Sequence, residues 1–477
     1  MFETGIRQFR MAMGMVWGRK LDTANLARLV GDALATLAEF GEPGADVQQV
    51  LDGPLHDPNA RADFINRSLR RTARRLDAQS PFYTRRFAAA GIAPDKLDVD
   101  SLRAIPVTVK RDLIDRQAEF LCGDSNRYLA TRTTGTTGRP AEIWLSRFEI
   151  DLLSGLGALA AILRDEVRSS DVIQLNVSSR ATVAVHLNAA FCRLVGCGCR
   201  VVGIVPPDEA LDSLLDGTVT LLATVPSYLG ELVTAARRRG LGPGDFQLRR
   251  IDGGGEMLTT SLAAAARETF GVTRVNDVFS MTEVIPVTGR TCSAGHLHHD
   301  INMGLVELLD LETGEPAAPG ALSTVVITPY FPYRECMPIF RYDTRDVVRR
   351  LPEGELQCEV AGIPATSPVL GKADHLLRLG PADVVTPREL AEAVEALPSQ
   401  PWPGRFRARV LDGRLQLRLP ESALDGLGEA DAREHFAERG LDVDLALVSD
   451  ADAVSLRPLR SDLRETTFVA APALIGD

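Results

Sequence analysis

The spacing of apolar residues changes character three times along the chain. In LARLVGDALATLAEF (26–40) and FINRSLRRTARRLDAQSPFYTRRFAAAG (64–91), apolar positions recur every three or four residues, which predicts helices from about Leu21 to Ala90. From about Arg127 short apolar runs such as DVIQLNV (171–177), CRVVGIV (199–205) and TLLATV (220–225) are followed by longer helix-like stretches. That alternation predicts parallel strands joined by crossover helices. ALSTVVITPYF (321–331), after the turn LETGEPAAPG, predicts a strand in a β-rich section. A turn-rich segment (351–368) leads to a break near Leu370. Beyond it the chain reads as strand, helix, strand, strand, helix, strand.

The expected fold is α/β. A large unit, residues 1–370, would hold mixed and parallel sheets, crossover helices and a β-rich section, with residues 1–65 as a helical extension. A small mobile α+β unit, residues 371–477, would follow a hinge at Gly371 to His375. A chain of 477 residues exceeds one ordinary core, in keeping with that division.

Composition narrows the function. Hydrophobic residues at 45% and charged residues at 25% describe a soluble globular protein. A net charge of −11 argues against a nucleic-acid partner, because no overall basic field attracts a phosphate backbone. The basic run Arg70–Arg75 reads as a solvated helix face. No apolar run approaches the roughly 20 residues of a membrane span, so no membrane partner is expected. The start, MFETGIRQFRMAMGMVWGRK, lacks the pattern of a signal peptide, and a cytoplasmic location is the expectation. Seven scattered cysteines fit reduced thiols.

The densest chemistry lies in RTTGTTGRP (132–140). Gly135 and Gly138 allow positive φ, so successive backbone N–H groups can converge on an anion. The hydroxyls of Thr133, Thr134, Thr136 and Thr137 add donors, and Arg139 offers a bidentate fork to phosphate. It is not a Walker A loop. By itself the segment also reads as a plain hairpin turn between YLA and EIWL.

This loop resembles the signature loop of the adenylate-forming superfamily, which contains acyl- and aryl-CoA ligases, luciferases and adenylation domains. The phenylacetate-CoA ligase branch is the most similar. Its motifs are matched in order by SPFY (80–83) with FAAAG (87–91), IPVTVKRDL (105–113), TVPSYL (224–229), GGGE (253–256), NDVFSMTE (276–283), RYDTRD (341–346) and GKAD (371–374). The resemblance covers about residues 65 to 400.

It implies ATP or AMP as nucleotide, Mg²⁺, and a small-molecule acid as substrate. Thr133 to Gly138 and Arg139 would hold the β- and γ-phosphates. Glu283 would ligate Mg²⁺ and Thr282 would contact the α-phosphate. Gly254, Gly255, Glu256 and Asp277 would line the nucleotide, with Phe279 stacking on adenine in place of the usual tyrosine. Asp346 would accept both ribose hydroxyls, and Lys372 would sit at the hinge. Tyr228, Gly253 and Ser280 would border the acid. CoA, an amine, a carrier protein or another partner protein are all compatible acceptors or helpers, and a homodimer is compatible too.

Cys292, His296, His298, His299, Cys336 and Cys358 together offer a tetrahedral Zn²⁺ set. Some members of the branch carry a structural zinc near this place. The absence of any C-x-x-C pair argues against zinc here. Cys197-Gly198-Cys199 reads as part of a buried strand.

Members of the superfamily deliver a lysine from the C-terminal unit to the reacting carboxylate. Here the lysines are Lys20, Lys96, Lys110 and Lys372, so none follows the hinge. Leu463 stands where that lysine is expected, with Arg460 and Arg464 as neighbours, and Arg460 is the candidate replacement. A planar fork does not reproduce a point charge. Four readings follow: an ordinary acid ligase using arginine, a diazotase-type enzyme of natural-product biosynthesis that activates nitrite toward an aromatic amine, an adenylating chain that needs a partner, or a non-catalytic nucleotide-binding relative.

Overall fold

The computed structural model describes residues 23–40, 58–133, 140–178, 182–352, 357, 358, 360, 363–380, 383–398 and 402–450. Thr134, Gly135, Thr136, Thr137, Gly138, Arg139, Arg460 and Leu463 lie outside them.

The strands are β1 (Arg127–Arg132), β2 (Glu142–Ser146), β3 (Val172–Asn176), β4 (Gly198–Val201), β5 (Leu221–Thr224), β6 (Arg250–Gly254), β7 (Arg274–Phe279), β8 (Gly289–Thr291), β9 (Leu297–His299), β10 (Gly304–Asp310), β11 (Leu322–Pro329), β12 (Tyr342–Arg349), β13 (Ala365–Thr366) and β14 (Gly371–Lys372). Beyond them lie β15 (Leu377–Arg378), β16 (Val384–Val385), β17 (Arg407–Leu411), β18 (Arg414–Pro420) and β19 (Val443–Val448). The main helices are α1 (Thr23–Phe40), α2 (Pro58–Gln79), α3 (Pro81–Ala90), α4 (Lys110–Asp115), α5 (Gln117–Phe120), α6 (Arg147–Leu163), α7 (Thr182–Val195), α8 (Pro207–Leu214), α9 (Pro226–Arg238), α10 (Thr260–Phe270), α11 (Pro387–Glu395) and α12 (Glu429–Ala437).

An eight-stranded sheet in the order β13-β9-β8-β7-β6-β5-β3-β4 organises the large unit. Strands β4, β3, β5, β6 and β7 are parallel, and β8, β9 and β13 continue antiparallel. The inner parallel strands β3, β5 and β6 are covered on both faces, which is why they read as apolar runs. Leu221 packs with α1, α6 and α7, whereas its neighbour Leu222 packs with α8, α9 and α10. The helices on the first face approach closely: a Cβ on Gly155 of α6 would lie 2.5 Å from Leu26 Cγ of α1. Helix α6 starts at a capping box, in which the Ser146 hydroxyl accepts from Glu149 N and the Glu149 carboxylate accepts from Ser146 N at 2.5 Å.

One expectation is corrected here. Cys199 is exposed, because β4 is the outermost strand of the sheet and its residues alternate between solvent and interior. The apolar run around it misled, since an edge strand needs only one covered face.

A second sheet, β10-β11-β12-β14, is antiparallel. It joins α2, α3, α4 and α5 in a large core that also takes in Ile143 of β2, Phe279 of β7 and Leu297 of β9. Residues 377–445 have their own cluster, built on a β15–β16 hairpin, α11, α12 and the β17-β18-β19 sheet. Its element order matches the expected strand–helix–strand–strand–helix–strand run, with a short hairpin in place of the first strand. Among the described residues no helix is long and apolar enough to cross a membrane.

Candidate active site

Ligands of open α/β sheets bind outside the carboxyl ends of the strands. Here Thr224, Gly253 and Asp277 are in register, as are Gly254 and Val278, so β5, β6 and β7 end together. The segments leaving these ends carry Tyr228, Gly253 to Glu256 and Phe279 to Glu283, and one edge of the sheet thereby gathers most of the expected nucleotide and acid residues. A Cβ on Gly254 would lie 3.2 Å from Val278 O, and Gly255 has φ +83°, so this tight exit needs glycine.

Glu283 is buried at 4% exposure, and the Tyr342 hydroxyl donates to its Oε1 at 3.3 Å. Burial, reinforced by the Glu283 charge, pushes the Tyr342 phenol well above its usual range, which keeps it a donor. Tyr342 opens β12, the strand that also carries Asp346. Asp346 lies opposite Lys372 of β14, with Lys372 Nζ 2.8 Å from Asp346 Oδ1 and donating to Thr344 O at 2.9 Å. The backbone here is strained, with φ +49° at Arg341 and +60° at Arg345. Such positions persist where surrounding contacts over-determine them. The contacts are present: Arg341 is ion-paired to Glu307 at 2.9 Å, and the Asp343 carboxylate accepts from Thr324 Oγ1 at 2.6 Å and Arg345 N at 2.9 Å.

The structure adds a residue that the sequence reading passed over. Thr108 is stitched to the start of β12: its N–H donates to Arg341 O at 2.7 Å and its carbonyl accepts from Asp343 N at 2.9 Å. That pairing brings Lys110, two residues on, into the field of Glu283 and Lys372. Burial holds the Lys110 ammonium below the usual lysine range, with Glu283 acting to raise it and Lys372 to lower it. Arg334, fully buried, also interacts electrostatically with Glu283. Its Nε lies 3.8 Å from Glu149 Oε1, and its Nη1 and Nη2 have no hydrogen-bond partner among the described residues.

Thr133 closes the base of the phosphate-type loop, its N–H donating to Ala141 O at 2.9 Å and its hydroxyl accepting from Ala141 N at 3.1 Å. The flanking β1 and β2 are antiparallel, with Arg132 opposite Glu142. Ile143 and Leu145 of β2 pack in clusters that include Val284 and Ile285, which ties the hairpin to the segment after Glu283.

Other expected contacts have different partners in this conformation. Asp277 is paired with Arg388 of α11 at 3.1 Å. Glu256 accepts from Ser227 N at 2.7 Å and Ser227 Oγ at 3.0 Å, and burial pushes its carboxyl up to about 7. Tyr228, expected at the acid pocket, is buried in the core between β5, β6 and α8 to α10, and its hydroxyl donates to Val205 O at 2.7 Å. Its phenol is therefore occupied by the backbone. Ser280 is exposed and Thr282 half-buried at the mouth of the edge. Phe279 is buried, with the His299 ring edge-on to it at 5.2 Å.

The hard oxygen donor that Mg²⁺ prefers is present in the buried Glu283 carboxylate. One such protein ligand suffices for an ion that keeps phosphate oxygens and waters as its others. A separate set fits a softer ion. Although no C-x-x-C pair exists, the ligand atoms of Cys292, His296, His298 and Cys358 all lie within 4.8 Å of one another. The pairing of β9 with β13 brings these positions together, and spacing along the chain concealed it.

No protein-family model matches the chain. In sequence it is 26% identical over 290 residues to the phenylacetate-coenzyme A ligase of Pseudomonas putida, covering 57% of this chain and 62% of that protein. It is 24% identical over 293 residues to the phenylacetate-coenzyme A ligase of Escherichia coli (strain K12), covering 57% and 63%. The match thus spans about three fifths of the length of these relatives. In structure it resembles a 2-hydroxyisobutyryl-CoA ligase in the postadenylation state with 2-HIB-AMP, with TM-score 0.72, 18% identity, and coverage of 87% and 90%. It also resembles an anthranilate CoA ligase in complex with anthranoyl-AMP, with TM-score 0.53, 15% identity, and coverage of 71% and 65%. In sequence the chain is similar to phenylacetate-CoA ligases, and it shares the fold of CoA ligases of known structure.

Proposed function

We propose that the chain activates a small acid with ATP and Mg²⁺ as an acyl-adenylate, releases pyrophosphate, and passes the acyl group to CoA or an amine. The observation that carries this reading is the convergence of Glu283, Tyr342, Asp346, Lys372 and Lys110 where the segment leaving β7 meets β12 and β14 of the second sheet. Relatives in sequence act on phenylacetate, which supports an aromatic acid.

Each residue has a task in this account. The loop from Thr133 to Arg139 grips the β- and γ-phosphates. Glu283 holds Mg²⁺, which when bound offsets charge at the phosphates. Asp346 accepts the ribose hydroxyls: a carboxylate has about four lone-pair sites, so the bond to Lys372 leaves room. Phe279 offers a ring face to adenine. Lys110 supplies a cation beside Glu283 where the C-terminal lysine is missing, and it stabilises negative charge as the acid oxygen attacks the α-phosphorus. Residues 371–477 act as the lid. Gly371 has φ +134°, and a Cβ there would lie 2.4 Å from Pro387 Cγ, so this hinge tolerates only glycine.

A second reading rests on the same missing lysine. Nitrite is a smaller anion than a carboxylate, and its activation would diazotise an aromatic amine. Pyrophosphate release from ATP·Mg²⁺ is the test, with a panel of aryl and short hydroxy acids, and with nitrite plus an aminobenzoate. Release with an aryl acid supports the first reading, and release only with nitrite and amine selects the second. Tight ATP binding with no release under any condition contradicts both.

A further inference from the structure

One buried cation has no task in the function proposed above. Arg334 lies between β11 and β12 and is fully buried. A charge kept out of water is costly unless its donors are used. Its Nε donates to Met337 O at 3.3 Å and lies 3.8 Å from Glu149 Oε1. Its Nη1 and Nη2 are buried with no hydrogen-bond partner among the described residues. Glu149 is engaged with the backbone instead: its Oε1 accepts from Glu335 N at 2.6 Å and Cys336 N at 3.1 Å, and its Oε2 from Ser146 N at 2.5 Å. The second carboxylate acting on the guanidinium is Glu283. The segments that carry the two residues are packed together, since Val284 shares a core cluster with Cys336 and Met337. Nη1 and Nη2 make no direct hydrogen bond to Glu283. Buried polar groups separated by more than one bond length are commonly joined by an ordered water.

We propose that Arg334 is a positioning residue for Glu283: through a bridging water its free fork holds the carboxylate in the orientation that meets Mg²⁺. Glu149 and the Met337 carbonyl hold the other edge of the guanidinium. This inference rests on the metal role of Glu283 proposed above. Outer hydrogen bonds of this kind fix the direction of a ligating carboxylate. The Tyr342 hydroxyl holds Glu283 Oε1 from a different strand, so two fixed donors leave the carboxylate little freedom. Glu149 also closes the capping box of α6, the helix that follows β2 of the phosphate-type hairpin. The Ser146 hydroxyl of that cap donates to Glu335 Oε1 at 2.8 Å, next to Arg334 in the chain. The grip on the phosphates and the grip on the metal thereby share one buried support. The sign of the effect separates this role from a bare charge. A cation near a metal ion repels it, so a guanidinium acting by charge alone would weaken metal binding, whereas one that orients the ligand strengthens it.

The test titrates Mn²⁺, followed by its EPR signal, into the full chain with a non-hydrolysable ATP analogue. Arg334→Met should weaken Mn²⁺ binding by about tenfold to a hundredfold. The Mg²⁺ concentration for half-maximal pyrophosphate release should rise by a similar factor, with the KM for the acid unchanged. Arg334→Lys, which keeps a charged donor, should recover part of the affinity. In a Glu283→Gln background Arg334→Met should cost no further metal affinity. Tighter or unchanged Mn²⁺ binding in Arg334→Met, or equal losses with and without the Glu283 carboxylate, would overturn the role. Should Arg334→Met fail to fold, a crystal structure of the wild-type chain without metal decides. A water within hydrogen-bond distance of both the Arg334 fork and a Glu283 oxygen is expected there, and a fork satisfied by other acceptors would overturn the bridge. Wild-type protein that binds neither the analogue nor Mn²⁺ would instead count against the function proposed above, and the same crystal structure still decides the bridge.

Discussion

At the sheet edge, Asp346 has an ammonium at 2.8 Å and Glu283 has a tyrosine hydroxyl at 3.3 Å with Lys110 nearby. At the seam between α11 and the large unit, Asp277 has a guanidinium at 3.1 Å, but Glu395 has no cation among the described residues. Among the described residues Glu395 accepts from Gly404 N at 2.8 Å and from the Thr259 hydroxyl, and burial pushes its carboxyl up to about 7. In the proposed function the carboxylates at the edge take metal and sugar. The seam uses one carboxylate as an ion-pair partner and one as a near-neutral hydrogen-bonding group. The same side-chain chemistry would thus serve ligand binding in one place and docking in the other, with the neighbours deciding which.

Breaking the edge should have the largest effect. Glu283→Gln keeps shape and hydrogen bonding but removes the charge that holds Mg²⁺. Pyrophosphate release should fall about 10²–10³-fold, the scale of losing one transition-state contact, with Tm unchanged. Unaltered turnover would remove Glu283 from the metal site.

Breaking the seam should act on stability instead. Arg388→Ala leaves the half-buried Asp277 without its partner, and leaving such a charged group unpaired costs about 1–3 kcal/mol. The urea midpoint should drop accordingly, and adding Asp277→Asn should recover part of the loss. Full stability of Arg388→Ala would show that the pair does not hold α11.

Glu395 gives the seam a pH dependence with a definite sign. Its folded carboxyl lies above the unfolded value of 4.5, so the folded state binds the extra proton. The contribution of Glu395 to stability is therefore full below about 4.5 and is lost as pH rises to about 7, by at most about 3 kcal/mol. Glu395→Gln should flatten this slope in denaturant titrations at several pH values. A slope of the opposite sign would refute the assignment.

The smallest effect sharpens the edge. Asp346→Asn should weaken ATP about tenfold, the worth of one charged hydrogen bond, with little change in turnover at saturation. Equal affinity would place the ribose elsewhere.

Much of this was legible in sequence because the edge is assembled from segments that each leave a strand end. GGGE and NDVFSMTE leave neighbouring strands β6 and β7 together, and RYDTRD opens β12 of the second sheet, where Tyr342 reaches Glu283. What escaped was pairing across distance. Lys110 stood only within the motif IPVTVKRDL and among the four lysines, because Glu283 lies far along the chain and the stitch at Thr108 has no sequence mark. Asp277 read as a nucleotide contact, because Arg388 arrives from a helix of the small unit. Tyr228 read as a pocket residue, though Val205 O lies 2.7 Å from its hydroxyl. Cys358 looked unrelated to Cys292 until β13 paired with β9.

The most direct test of the central claim is a crystal grown with a non-hydrolysable ATP analogue and Mn²⁺. The anomalous map should show a peak about 2.1 Å from a Glu283 carboxylate oxygen and touching the phosphates held by the 133–139 loop. A peak bound to the analogue but away from Glu283, across the edge, would contradict it.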